Sequence, residues 1–253
     1  EANELFNQLL LKENQQLKEK VLFEFADMEF DLGNYEKSLE ICCEIKKSFN
    51  KLEPESRGRL LNLLGIIEFN FNKDVDRAIE LINKSLKEFE GSNSFGKIAG
   101  IYTNLSIIYF ENNKVSESIA LLRKAEDLNE KLGNYEQKGL IQMNMAVIQM
   151  ELRNFELAQE YFQSAKNILK VYGYKYYYTL TLINLIELNL LTCDYNRSNE
   201  TLIETNSLIG ELNNSDEELH FLFIKGKFWF IIGDTEELKK IISQYEYHSY
   251  SKD

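Results

Sequence analysis

Proline is almost missing from this chain of 253 residues: Pro54 stands alone, and the 12 glycines are thinly spread. Long stretches therefore contain no helix breaker, and an all-helical protein is expected. Histidine is nearly as scarce, with only His220 and His248. No glycine-rich phosphate loop and no Ser-His-Asp or Cys-His spacing accompanies them, so neither an enzyme nor a bound cofactor is expected. The plentiful carboxylates read as solvated helix faces. The three cysteines, Cys42, Cys43 and Cys193, are odd in number and two are adjacent. That pattern suits buried thiols in a reducing, cytoplasmic setting rather than a disulfide framework. Neighbours 42 and 43 would point about 100° apart on a helix, so they are poorly placed to share a metal.

A basic excess is also lacking. The formal net charge is −12 and Lys and Arg form no stripe, which argues against nucleic acid and anionic membranes as partners. An acidic surface of this kind keeps a protein soluble. No apolar run is long enough to span a bilayer: Phe221 to Ile232 is short and carries Lys225 and Lys227. The opening residue is Glu1 rather than Met, which leaves open a leader removed upstream.

What the chain does have is 44% apolar residues, enough for a packed interior, arranged with a period. A small residue recurs every forty positions at Ser38, Ala78, Ser118, Ala158 and Ser198, with Leu238 in the sixth slot. A turn and an apolar anchor precede each, as in Gly33-Asn34-Tyr35, Arg153-Asn154-Phe155 and Gly233-Asp234-Thr235. A period of this size marks stacked helical pairs that bury their apolar faces on one another. One solenoid over 1–253 is expected, with repeats near 19–57, 58–97, 98–137, 138–177, 178–217 and 218–247, an N-terminal helix over 1–18 and a tail over 248–253.

The fourth repeat shows the logic. Leu140, Met143, Val147 and Met150 are spaced for a helix over about 137–151. Asn154 is placed to cap the next helix by accepting a backbone N–H. The second helix carries Phe155, Ala158, Phe162 and Ala165; the alanines are small where the helices cross closely. Two irregularities stand out. Gly65 falls one place before the slot the period predicts, and an extra residue near Phe71–Asp74 would explain it. In the sixth repeat Leu238 replaces a small residue, and the run Phe228-Trp229-Phe230 is expected either to cap the end itself or to pack on a further segment.

At these positions the chain resembles the tetratricopeptide repeat family. The first repeat matches through Gly33, Tyr35 and Ser38; the third through Tyr102, Leu105, Ser106, Tyr109, Ser118 and Ala125; the fourth through Ala146, Phe155, Ala158, Phe162 and Ala165. The forty-residue unit departs from the family's usual 34, and the closing proline is missing except near Pro54. Longer units resemble those of kinesin light chains and bacterial peptide-pheromone receptors, and Glu130-Lys131-Leu132-Gly133 is typical of them. Asn134-Tyr135 imitates the turn inside a repeat, but its phase makes it an inter-repeat link. The resemblance implies a right-handed superhelical α-solenoid whose first helices line a concave groove.

Along those first helices runs a row of asparagines: Asn62, Asn104, Asn144 and Asn184, the last three forty apart and the first offset by two. Each amide offers two donors and an acceptor. A row of them can hold successive backbone groups of an extended peptide, with Ile107, Val147 and Glu187 one turn away as pocket walls. The resemblance implies that role too. The same amides can instead bond the neighbouring repeat with no ligand present. Tyr172, Tyr174, Tyr176, Tyr177 and Tyr178 gather at the link between repeats four and five, as interface anchors or as a seal for the helix end.

The expected function is a scaffold that captures a peptide or protein segment in its groove. The alternative is the regulatory or sensor repeat domain of a larger effector, such as a peptide-responsive transcription regulator or a repeat-regulated protease. A spacer with an empty groove is a third possibility. Oligomeric state is not legible in the sequence.

Overall fold

A computed structural model describes residues 15–212 and 215–250. Among them no strand occurs; twelve helices pair into six antiparallel hairpins. They are α1 (Gln15–Asp31) with α2 (Tyr35–Lys46), α3 (Pro54–Ile67) with α4 (Val75–Glu88), and α5 (Phe95–Glu111) with α6 (Val115–Leu132). After these come α7 (Tyr135–Glu151) with α8 (Phe155–Val171), α9 (Lys175–Leu191) with α10 (Tyr195–Asn206), and α11 (Ser215–Ile232) with α12 (Thr235–Tyr250). The helices gather into two compact units, one through Leu128 and one from Asn129. Residues 1–14 of the expected N-terminal helix and 251–253 of the tail lie outside the described residues.

The forty-residue period is written into the backbone. Left-handed residues sit at Gly33, Lys73, Asn113, Arg153, Cys193 and Gly233, one in the turn of each hairpin. At Gly33 the next amide, of Asn34, donates to the Glu29 carbonyl at 2.8 Å while that of Gly33 donates to Phe30 at 2.9 Å. This pairing satisfies the last carbonyls of the first helix and reverses the chain. It recurs at Asn113, Arg153 and Cys193. Glycine takes the left-handed angles without steric cost, whereas Lys73, Arg153 and Cys193 hold them under strain of roughly 1 kcal/mol or more each. Three inter-hairpin links also turn on left-handed glycines, Gly91, Gly133 and Gly173. Asn134 then caps α7, so Asn134-Tyr135 is a link between repeats, in line with its phase.

The irregular second repeat is resolved. Residues Glu68–Asn72 form a π-turn at the end of α3, and the Asp74 amide reaches back six residues to the Glu68 carbonyl at 3.0 Å, where other repeats reach back five. One extra residue is thus looped into the helix. Gly65 stands eight residues before its turn, and the matching Ala26, Ser106 and Ala146 stand seven before theirs.

Where the paired helices cross, bulk is excluded. Ser38, Ala78, Ser118, Ala158 and Ser198 are all buried. Ser38 Oγ donates to the Ala26 carbonyl at 2.8 Å, and Ser198 Oγ to that of Ile186 at 3.1 Å, binding second helix to first. A Cβ on Gly65 would lie 2.5 Å from Ile82 Cγ1. Leu238 is accommodated in the last hairpin because Gly226 faces it: a Cβ there would stand 4.0 Å from Leu238 Cδ1.

Capping differs from expectation at one turn. Asp74, Asn134, Asp194 and Asp234 accept backbone amides at their helix starts, but Asn154 does not. Its Nδ2 donates to Gln149 Oε1 at 2.9 Å, because a buried glutamine stands where that bond is available.

In the C-terminal unit Phe162, Ala165 and Leu169 of α8 pack with Tyr178, Leu182 and Leu185 of α9. Beside them Glu204 of α10 accepts from Lys166 of α8 at 2.8 Å and from the Tyr178 hydroxyl of α9. Burial alone would raise the Glu204 carboxyl, but these bonds outweigh it and hold it low. A depressed carboxylate stabilises the fold above its unfolded value near 4.3, and that contribution is lost as pH falls through the folded value. Glu204→Gln is expected to cost about 1 kcal/mol in urea unfolding at neutral pH, with the gap to wild type closing as the pH drops below about 4. At the crossing, Ala158→Phe is expected to destabilise the chain by at least about 2 kcal/mol through overpacking; the same denaturation measurement checks it.

Candidate functional site

In the N-terminal unit Asn62 lies on α3 and Asn104 on α5, both half-buried. Asn104 Nδ2 donates to Asn62 Oδ1 at 3.3 Å, so the two amides bond each other across neighbouring repeats. Asn62 stands three residues before its small crossing residue, Gly65, whereas Asn104 stands two before Ser106. The place equivalent to Asn104 in the second repeat is therefore Leu63, which is buried. The π-turn accounts for one residue of the two-residue offset; the second is a real displacement along α3. Ile107 follows Asn104 by one turn and is exposed. Further along this unit Arg59 bridges Glu24 at 2.9 Å and Asp27, and lies 4.8 Å over the Phe23 ring. Burial, then the Asp27 charge, raises the Asp31 carboxyl nearby.

In the C-terminal unit Asn144 on α7 and Asn184 on α9 occupy equivalent positions, and α9 packs on α7. Both are half-buried, and neither side chain bonds another group among the described residues. Val147, one turn after Asn144, is half-buried. Glu187, expected as a pocket wall, is already engaged: Lys227 of α11 donates to its Oε1 at 3.0 Å. The Lys227 ammonium also lies 4.7 Å over the Phe223 ring. Lys227 and Phe223 were not among the residues expected from the sequence. The signal was present in the spacing, since 147, 187 and 227 are forty apart. It was hidden because the asparagine row stops: position 224 is Ile224, buried in the core.

The tyrosine group divides. Tyr178 is buried, and burial, with its bond to Glu204, raises its hydroxyl far above the ordinary range. Tyr176 donates to Glu217 Oε1 at 3.2 Å, and Tyr176 and Tyr177 meet edge-on at 5.0 Å. Tyr172 is exposed at the end of α8. These contacts favour a seal over an open interface, Tyr172 excepted. His220 is exposed on α11, and the His248 side chain lies outside the described residues.

The cysteines correct an expectation. Only Cys42 is buried; Cys43 and Cys193 are exposed, and all three are free thiols. Adjacent residues on α2 point to different faces, and Cys193 occupies a turn, so the fold has no interior place for either. No group of three potential metal ligands occurs among the described residues.

Residues 99–132 match the family model described as tetratricopeptide repeat. The structure is similar to that of a Rap protein complexed with competence and sporulation factor (TM-score 0.77, 14% identity, covering 98% of this chain and 70% of that one). It is also similar to aspartyl phosphate phosphatase F from Bacillus subtilis (TM-score 0.67, 16% identity, 99% of this chain and 68% of that one). A third is a signal transduction ATPase with numerous domains and a tetratricopeptide repeat sensor, from Pyrococcus horikoshii (TM-score 0.66, 15% identity, 94% of this chain and 38% of that one). No match is found among curated proteins. The chain therefore has the all-α architecture of tetratricopeptide-type solenoids.

Burial, with smaller contributions from Asp27 and Cys43, pushes the Cys42 thiol up to about 12, so it stays protonated at pH 8 and does not act as a nucleophile. A thiol-reactive chromophore at that pH is expected to modify two cysteines per native chain, Cys43 and Cys193, and Cys42 only after denaturation.

Proposed function

We propose that this chain is a binding module that holds an extended peptide or protein segment along the first helices of its repeats. The observation that carries the reading is the pair Asn144 and Asn184: equivalent amides on packed helices, half-open to solvent and with no side-chain bond among the described residues. Packed helices stand about 10 Å apart, which spans about three residues of an extended chain at ~3.3 Å each. Amides so spaced can bond backbone groups of a bound segment and leave its side chains free to differ. Val147 offers an apolar wall, and the Glu187–Lys227 pair offers either charge to a ligand group that displaces its partner. In the N-terminal unit each amide of the Asn62–Asn104 pair already spends one bond on the other. The similar Rap protein was solved in complex with competence and sporulation factor, which supports capture of a partner as a task for this architecture. The reading assigns no catalytic residue. Free thiols, two of them exposed, support a reducing, cytoplasmic setting.

A second reading makes the module the sensor of a larger effector. What favours it is the Pyrococcus horikoshii protein, named for a tetratricopeptide repeat sensor, of which this chain spans 38%. The complete open reading frame decides between the two.

The test is a selection of unstructured displayed peptides against the chain, followed by titration of the enriched peptide. The double variant Asn144→Ala, Asn184→Ala is expected to lose at least tenfold in affinity, about 1.4 kcal/mol, with stability changed by less than about 2 kcal/mol. Unchanged affinity in a folded double variant overturns the assignment.

A further inference from the structure

The α11–α12 hairpin carries the stacking face of an inner repeat, left uncovered by the described residues. Leu202 of α10, with Ile183 and Leu190 of α9, is buried against Phe221, Ile224 and Phe228 of α11, the next hairpin. Forty residues on, the same three slots hold Ile242, Phe223 and Phe230, which are 48%, 53% and 73% exposed. Thr205 is buried in the slot that Tyr245 fills at 40% exposure. The side chains at this end are large and apolar, not polar replacements of the kind that close a solenoid. A contiguous face of this composition marks an interaction surface.

Charge says what can approach it. The chain carries −12 overall, so two copies repel across most of their surface. Residues 223–246 are an exception: Lys225, Lys227, Lys239 and Lys240 balance Asp234, Glu236, Glu237 and Glu246. On α12 the exposed seam of Ile242 and Tyr245 is flanked on one edge by Lys239 and Glu246, seven residues apart. Two α12 helices laid antiparallel, with Ile242 of one beside Tyr245 of the other, bring Lys239 opposite Glu246 at both ends of the seam. The edge is thus complementary to itself under a two-fold axis, as an isologous contact requires.

We infer that the α11–α12 face is a dimerisation surface whose partner is a second copy of this chain, joined α12 to α12 in antiparallel fashion. Sedimentation equilibrium of the 253-residue chain at about 150 mM salt tests it. Wild type is expected at twice the protomer mass at high concentration, and the double variant Ile242→Glu, Tyr245→Glu at the protomer mass. Because the apolar changes could disturb the hairpin, the charged edge supplies an independent check. K239E and E246K each set like charges opposite one another and are expected to raise the dimer Kd at least tenfold. An equimolar mixture of K239E and E246K restores opposite charges at both ends and is expected to dimerise as wild type does. A monomeric wild type, a dimer indifferent to the Ile242 and Tyr245 changes, or a mixture no tighter than its components overturns the assignment. So does a monomeric chain that binds a synthetic peptide of residues 175–191, which would give the face to a further helical repeat instead.

Discussion

Everything in this molecule depends on how closely two antiparallel helices can approach at one small residue. Ser38, Ala78, Ser118, Ala158 and Ser198 hold the crossing points, and the hydroxyls of Ser38 and Ser198 use the proximity to reach a carbonyl of the facing helix. A tight crossing sets the distance between the helices, and that distance sets which side chains each hairpin offers to the next. The left-handed turns serve the same end, since each returns the chain at the right angle for the second helix to meet its small residue.

The repeated part of this design was legible in the sequence, because small residues and turns recur at fixed spacing. Even the slip at Gly65 carried information: an added residue near Phe71–Asp74 is what the π-turn contains. Less legible were features that depend on which side chain a neighbour supplies. Asn154 reads as a helix cap by residue type, yet Gln149 claims its amide. Cys43 and Cys193 read as buried by composition, yet their places on α2 and in a turn put them in solvent. Residue types could not show that Lys227 reaches Glu187 across one repeat.

The asparagine row shows the same division. Its spacing marked the face but could not separate amides that serve the protein from amides left over. Geometry does so unevenly. Asn62 and Asn104 bond each other, and Asn62 is displaced by one position from its counterpart. Asn144 and Asn184 have no such displacement, and neither side chain bonds another group among the described residues. Identical residues in corresponding repeats thus differ in what they bond, and they differ in register by one residue.

The π-turn at Glu68–Asn72 has a bearing on how such a chain can change over generations. An added residue in an ordinary helix would rotate everything after it by about 100° and turn its apolar stripe away from its neighbours. Here the surplus is swallowed within five residues, and Val75 begins α4 in step with every later hairpin. Insertions at the ends of first helices are therefore a route by which individual repeats can lengthen while the downstream frame stays intact.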